Sequence, residues 1–197
     1  MLTRRCCCRA LAGTVDGRPP THTYRDREDL VRIATFNINN INKRLDNLLA
    51  WLAKTEPDVV SLQELKVEQG AFPVNALRTV GYEAVWQGER SWNGVAILAR
   101  NHVPVLTCAS LPGNPEDHQA RYIEAAVRGL LITSIYLPNG NPQPGPKFKY
   151  KLAWFERLIA RAAELIASDT PWYWPATTTS CRHRRTYIRL DRWTTTR

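Results

Sequence analysis

Apolar patterning begins abruptly at Leu30 and is lost after Trp172, and between these points its period changes several times. The run Val31–Asn37 (VRIATFN) predicts a buried strand that ends in an asparagine-rich turn at Asn37, Asn39, Asn40 and Asn42. Leu45, Leu48, Leu49 and Leu52 then fall at the i, i+3, i+4 and i+7 spacing of one helical face. Lys43, Arg44, Asp46 and Lys54 are left for water, and Pro57 blocks continuation. Residues 58–64 (DVVSLQE) predict a second buried strand, and residues 72–80 a short helix stopped by Gly81. Five strand-like runs follow, at 82–87, 94–100, 103–110, 121–127 and 130–137. Residues 138–146 (PNGNPQPGP) hold too much proline and glycine for regular structure. The longest helical pattern spans 148–168, with Leu152, Phe155, Leu158, Ile159, Ala162 and Ile166 on one face.

An α/β start followed by a β-rich middle predicts a single α/β domain over residues 30–172. Residues 1–29 read as a disordered N-terminal extension. Residues 173–197 read as an aberrant basic tail without fold, because 177–179 and 194–196 are threonine runs and Arg182, His183, Arg184 and Arg185 follow no helix or strand period. Composition changes this picture little: 197 residues at 44% hydrophobic can form one domain with a sizeable core. The net charge of +9 is unevenly placed, since residues 31–172 carry fifteen basic against thirteen acidic side chains and the last 25 carry six against one. Basicity is therefore only weak evidence for a nucleic-acid partner. Cys6, Cys7 and Cys8 are contiguous and Cys181 lies in the tail, so the five cysteines make no disulfide framework. That usage suits a reducing compartment, and with no membrane-length apolar run and no secretory leader the expected location is the cytoplasm; the expected state is a monomer.

The chemistry starts at Glu64, a carboxylate at the C-terminal end of a buried strand, the edge where α/β folds place their sites. A lone strand-end acid is more often merely solvated. Asn37 changes that balance, because parallel neighbours joined by a helix bring both side chains to one rim. A hard oxygen pair there suits Mg²⁺.

Five motifs occur in order: FNINN (residues 36–40), LQELK (62–66), WNGVAIL (92–98), ARYIEA (120–125) and YLPNG (136–140). Together they resemble the exonuclease III / apurinic-apyrimidinic endonuclease branch of the endonuclease/exonuclease/phosphatase superfamily, over the first half or slightly more of that domain. The resemblance implies the N-terminal part of a four-layer αββα sandwich with two mixed β-sheets, and Mg²⁺- or Mn²⁺-dependent hydrolysis of DNA phosphodiesters at abasic sites and 3′ ends. It implies that Glu64 binds the metal and that Asn37 orients it and the scissile phosphate. Tyr136 is implied as the active-site tyrosine and Asn139 as a phosphate-contacting residue, while Lys66, Trp92, Arg121 and Asn39 would face DNA. Lys147, Lys149 and Lys151 alternate with Phe148 and Tyr150, a pattern that could track phosphates but is more often a helix start with a wet lysine face.

Relatives supply the water-activating groups later, in a Gly-Asp-x-Asn motif and a C-terminal Asp-His pair, and neither occurs in this sequence. Translated one frame over, starting at the last base of the Trp172 codon, the codons must encode Val-Leu-Ala and then permit Gly-Asp-Tyr-Asn. The expectation is therefore a frameshifted, catalytically incomplete chain. Its alternatives are a non-catalytic DNA-binding fragment and another phosphoesterase of the superfamily.

Overall fold

The computed structural model describes residues 31–168 and, as backbone, the short segments 172–173, 176–177 and 186–190. The expected N-terminal extension and most of the expected tail lie outside the described residues. Strand β1 (Val31–Asn37) leads through a 3₁₀ turn into helix α1 (Leu45–Thr55) and back into strand β2 (Val59–Gln63), which runs parallel to β1. Helix α1 ends before Pro57 acts, because Glu56 turns left-handed (φ 44°) and its N–H donates to the Leu52 carbonyl. A short helix α2 (Val74–Arg78) precedes an antiparallel pair, β3 (Tyr82–Gln87) and β4 (Val95–Arg100), and β4 lies antiparallel beside β2.

The second sheet begins with β5 (Val105–Cys108) and continues with β6 (Tyr122–Val127) and β7 (Leu130–Tyr136), all antiparallel. Arg128 and Gly129 close the β6–β7 hairpin with φ of 52° and 80°, as a two-residue turn compatible with strand twist requires. Helix α3 (Pro146–Ala167) follows, with proline at its first turn where no N–H is needed. Short strands β8 (Trp172–Tyr173) and β9 (Ala176–Thr177) run parallel to β7. Strand β10 (Thr186–Leu190) pairs antiparallel with β1, so that part of the expected tail is paired backbone. Both sheets therefore mix parallel and antiparallel neighbours. Among the described residues no helix is long and apolar enough to cross a membrane.

Three apolar clusters hold these layers. Leu48, Trp51 and Leu52 of α1 pack with Ala34, Val60, Leu62, Ala96 and Leu98 on the outer face of the first sheet. Ile33, Val59, Val95 and Ile97 meet Ile123, Ala125, Val127 and Ile132 between the two sheets. Trp154 and Leu158 of α3 cover Tyr122 and Ile135 on the outer face of the second. The inward face of α3 differs from the one its sequence predicts: Trp154, Leu158 and Leu165 are buried, while Leu152, Ile159 and Ile166 stand exposed. The cause is a charge, because Glu124 on β6 is fully buried and Arg161 must turn inward to meet it with two 2.8 Å bonds. A second inward cation, Arg157, pairs with Asp117 and fixes the same rotation.

Candidate active site

Parallel pairing sets Asn37 opposite Gln63, which leaves Glu64 one residue beyond the sheet on the same rim. Backbone pairing continues past both strands, as Ile38, Asn40 and Ile41 N–H donate to the carbonyls of Gln63, Glu64 and Leu65 at 2.9, 2.9 and 3.1 Å. Asn39 (φ 48°), Asn40 (φ 82°), Glu64 (φ 56°) and Lys66 (φ 52°) all adopt the left-handed region. Asparagine tolerates that conformation, whereas glutamate and lysine hold it only where surrounding structure enforces it.

The enforcement comes from the WNG motif. Leu65 N–H donates to Gly94 O at 3.2 Å, Lys66 N–H to Asn93 O at 3.0 Å, and Gly94 N–H to Ala120 O at 2.9 Å. A side chain at Gly94 (φ +88°) would place its Cβ 2.7 Å from the Leu65 Cβ, so only glycine lets the two loops approach this closely. Tyr136 N–H then donates to Arg121 O at 2.8 Å. The five motifs are thus segments of one hydrogen-bonded rim.

Three side chains converge on the Glu64 carboxylate, itself only 8% exposed. The Tyr136 hydroxyl donates to Oε1 at 2.5 Å, and the Lys66 ammonium lies 3.0 Å from Oε2. Asn37 also donates to the carboxylate, while its own Oδ1 accepts the Asn39 N–H at 3.0 Å. Burial alone would raise the carboxyl's pKa. The bonds from Tyr136, Asn37 and Lys66 outweigh it and hold Glu64 below its ordinary value, so the group is ionised at neutral pH. An ionised carboxylate is what a hard cation needs, and the lysine ammonium already shows that this pocket accepts positive charge. Among the described residues no three of His, Cys, Asp and Glu cluster in a way that could hold a metal. Of the sequence-predicted site residues, Glu64 is the one that offers a carboxylate.

The other sequence-predicted residues divide. Asn39 accepts from Lys66 Nζ at 2.6 Å, and Arg121 lies 5.1 Å above the Tyr136 ring, so both join the rim. Trp92 stands beside it with 70% of its surface exposed. Asn139 is turned into its own loop, where its Oδ1 accepts the Asn141 N–H at 3.1 Å. Sequence reasoning missed Glu89, whose Oε2 accepts from Asn93 Nδ2 at 2.8 Å and from Ala120 N–H at 2.9 Å. That carboxylate ties the WNG turn to the ARY strand entry. The only local signal is its distance of four residues from Asn93.

The chain is similar to known proteins. The model of the endonuclease/exonuclease/phosphatase family matches residues 34–174. The exodeoxyribonuclease III of Haemophilus influenzae is 35% identical over 114 residues, which are 56% of this chain and 42% of that protein. A 3′ phosphatase from Neisseria, solved with a product DNA hairpin, superposes with a TM-score of 0.71 at 37% identity, over 74% of this chain and 56% of that one. An AP endonuclease from Archaeoglobus fulgidus gives 0.69 at 33% identity, with the same coverage. The chain thus spans about half the length of the relatives it matches. With the motifs assembled around Glu64 as described, the chain belongs to the exonuclease III / AP endonuclease family of the endonuclease/exonuclease/phosphatase superfamily.

Proposed function

We propose that this chain is the metal- and phosphate-gripping half of a DNA repair nuclease of the exonuclease III type, acting on abasic-site or 3′-end duplex, within the N-terminal part of a four-layer αββα sandwich. The observation that carries this reading is the ionised Glu64 carboxylate, met across the sheet interface by the Tyr136 hydroxyl at 2.5 Å. Glu64 is the metal carboxylate for Mg²⁺ or Mn²⁺, which when bound would offset phosphate charge and polarise a phosphoryl oxygen.

The residues themselves divide the remaining tasks. Asn37 donates to Glu64 and fixes its orientation. Tyr136, freed from Glu64, would donate to a non-bridging phosphate oxygen and stabilise charge that develops there. Lys66 releases Glu64 and turns to the phosphate backbone, with Asn39 beside it. Arg121, stacked on Tyr136, and the exposed Trp92 extend that surface along DNA, and Asn139 reaches a phosphate by leaving its turn. Hydrolysis also needs a base for the attacking water and an acid for the leaving oxygen, and among the described residues no trio of His, Cys, Asp or Glu gathers to supply them together with a metal ligand. The described residues therefore grip DNA and metal without completing the hydrolytic site.

The test is an abasic-site duplex incubated with the purified chain in Mg²⁺, with and without EDTA, beside a Glu64→Ala variant. Binding that weakens with EDTA and in the variant, without strand cleavage, is expected. Metal-dependent cleavage that disappears in the variant would overturn the incompleteness. Salt-sensitive binding indifferent to EDTA and to Glu64 would overturn the metal site and leave a non-catalytic DNA-binding fragment.

A further inference from the structure

Directly beneath the rim lies a set of buried polar groups that the proposed chemistry does not use. On three strands the side chains facing the opposite sheet pass from aliphatic to hydroxyl to a polar residue at or next to the site. The series are Ile33, Thr35 and Asn37 on β1, Val59, Ser61 and Gln63 on β2, and Ile132, Ser134 and Tyr136 on β7. Gln63 is fully buried at the centre of the hydroxyl layer. Its Nε2 donates toward Thr35 Oγ1 at 3.1 Å, Ser61 Oγ at 2.9 Å and Ser134 Oγ at 3.4 Å. Ser134 in turn donates to the Leu62 carbonyl at 3.1 Å. One amide therefore joins β1 and β2 of the first sheet to β7 of the second.

Stability alone does not explain this layer, because apolar side chains of similar volume bury at least as favourably as a polar network that must satisfy every member. Direction is what hydrogen bonds add. Two sheets held by aliphatic faces can shift against each other at little energetic expense, since apolar attraction has no preferred angle. The proposed site spans that same interface: Glu64 follows β2, Tyr136 ends β7, and their bond is 2.5 Å long. Misalignment on the order of 1 Å would break it, and a shift of that size can reduce an enzymatic rate about a hundredfold.

The geometry points to Gln63 as a positioning residue: by holding Thr35, Ser61 and Ser134 together, it sets where Tyr136 of the second sheet meets Glu64 of the first. The functional consequence rests on the metal site proposed above, whereas the positioning itself can be read without metal or DNA.

The experiment uses the full chain with ¹³C at the tyrosine ring carbon that bears the hydroxyl. The Tyr136 resonance is identified by its loss in Tyr136→Phe, and Glu64→Gln gives its position without the carboxylate acceptor. Gln63→Met keeps the length of the side chain but not its hydrogen bonds. It should move the Tyr136 resonance toward its Glu64→Gln position, Ser134→Ala should move it the same way by less, and Ser134→Thr should restore it. In a second arm Gln63→Met should weaken Mn²⁺ binding about tenfold, the usual size of an effect transmitted through a supporting hydrogen bond. In that background Tyr136→Phe should add little further loss, whereas a merely structural role would leave the two effects additive. A Tyr136 resonance unmoved in folded Gln63→Met overturns the inference, and Ser134→Ala decides it if Gln63→Met does not fold. A wild-type chain that binds no Mn²⁺ would sink the proposed metal site, and the spectra would still judge Gln63.

Discussion

Strand β2 is bracketed by two carboxylates, Asp58 and Glu64, each 8% exposed and each facing cations, yet the two ends of the strand are built differently. Asp58 takes the Arg32 N–H at 2.7 Å and the Arg128 guanidinium at 3.2 Å, with Arg100 at 3.5 Å. Two of those partners are themselves anchored: Arg32 also donates to the carbonyls of Thr55 and Glu56 at the end of α1, and Arg100 also meets the Glu56 carboxylate at 3.7 Å. Left-handed residues at this end have local reasons, Glu56 as a helix cap and Arg128 as a hairpin turn. At the other end Glu64 and Lys66 are left-handed without being cap or hairpin residues, and the cation on Glu64 is a flexible lysine that can leave. Burial and charge therefore do not separate a structural carboxylate from a site carboxylate. What separates them is whether the partners are fixed and whether the backbone is held away from its preferred conformation.

The sharpest way to break this comparison is to remove partners from carboxylates assigned to structure. Glu124, the most buried of them, depends on Arg161. Arg161→Met should cost about 3 kcal/mol in urea unfolding, because an ionised carboxylate would lose both guanidinium bonds and keep only the Tyr122 hydroxyl. A loss below about 1 kcal/mol would mean that Glu124 does not set the rotation of α3. Asp58→Asn should cost less, about 2 kcal/mol, since Arg32, Arg100 and Arg128 are partly exposed and regain water when their anion is removed. Its binding of Mn²⁺ should equal that of the wild type, measured by calorimetry. Weaker metal binding would show that the two ends of β2 are coupled.

These two carboxylates also mark where the sequence was and was not legible. The strand-like runs marked β1 and β3 with the bounds observed and placed the other strands of residues 58–137 within a few positions, because strands covered on both faces, such as β2 and β4, leave nearly continuous apolar segments. The rotation of α3 was hidden, because its apolar residues occupy two faces about 100° apart and only the distant Glu124 chooses between them. At the site, motif order brought out Asn37, Glu64, Lys66, Arg121 and Tyr136, which do converge. Gln63, Thr35 and Ser134 stayed silent, because a short polar side chain or a lone amide within an apolar strand run carries no local sign of its partners. Asn139 fits its motif but faces its own turn, since an asparagine two residues before a backbone N–H can satisfy it locally.

The smallest effect on stability is expected where the effect on binding is greatest. Glu64→Gln keeps the shape of the side chain and acceptors for Tyr136, and Lys66, which is partly exposed, can return to water. At pH 7 the variant should therefore lie within about 1 kcal/mol of the wild type in urea unfolding, while losing Mn²⁺ binding. Acid discriminates further. The folded-state pKa of Glu64 is lowered, so the carboxylate's contribution is complete above its unfolded value near 4.5 and is lost as pH falls through the lower folded value. The wild type should thus lose stability between these two pH values faster than Glu64→Gln does, and the gap between the two curves should close at lower pH. Parallel curves throughout would mean that Tyr136, Asn37 and Lys66 do not hold Glu64 ionised.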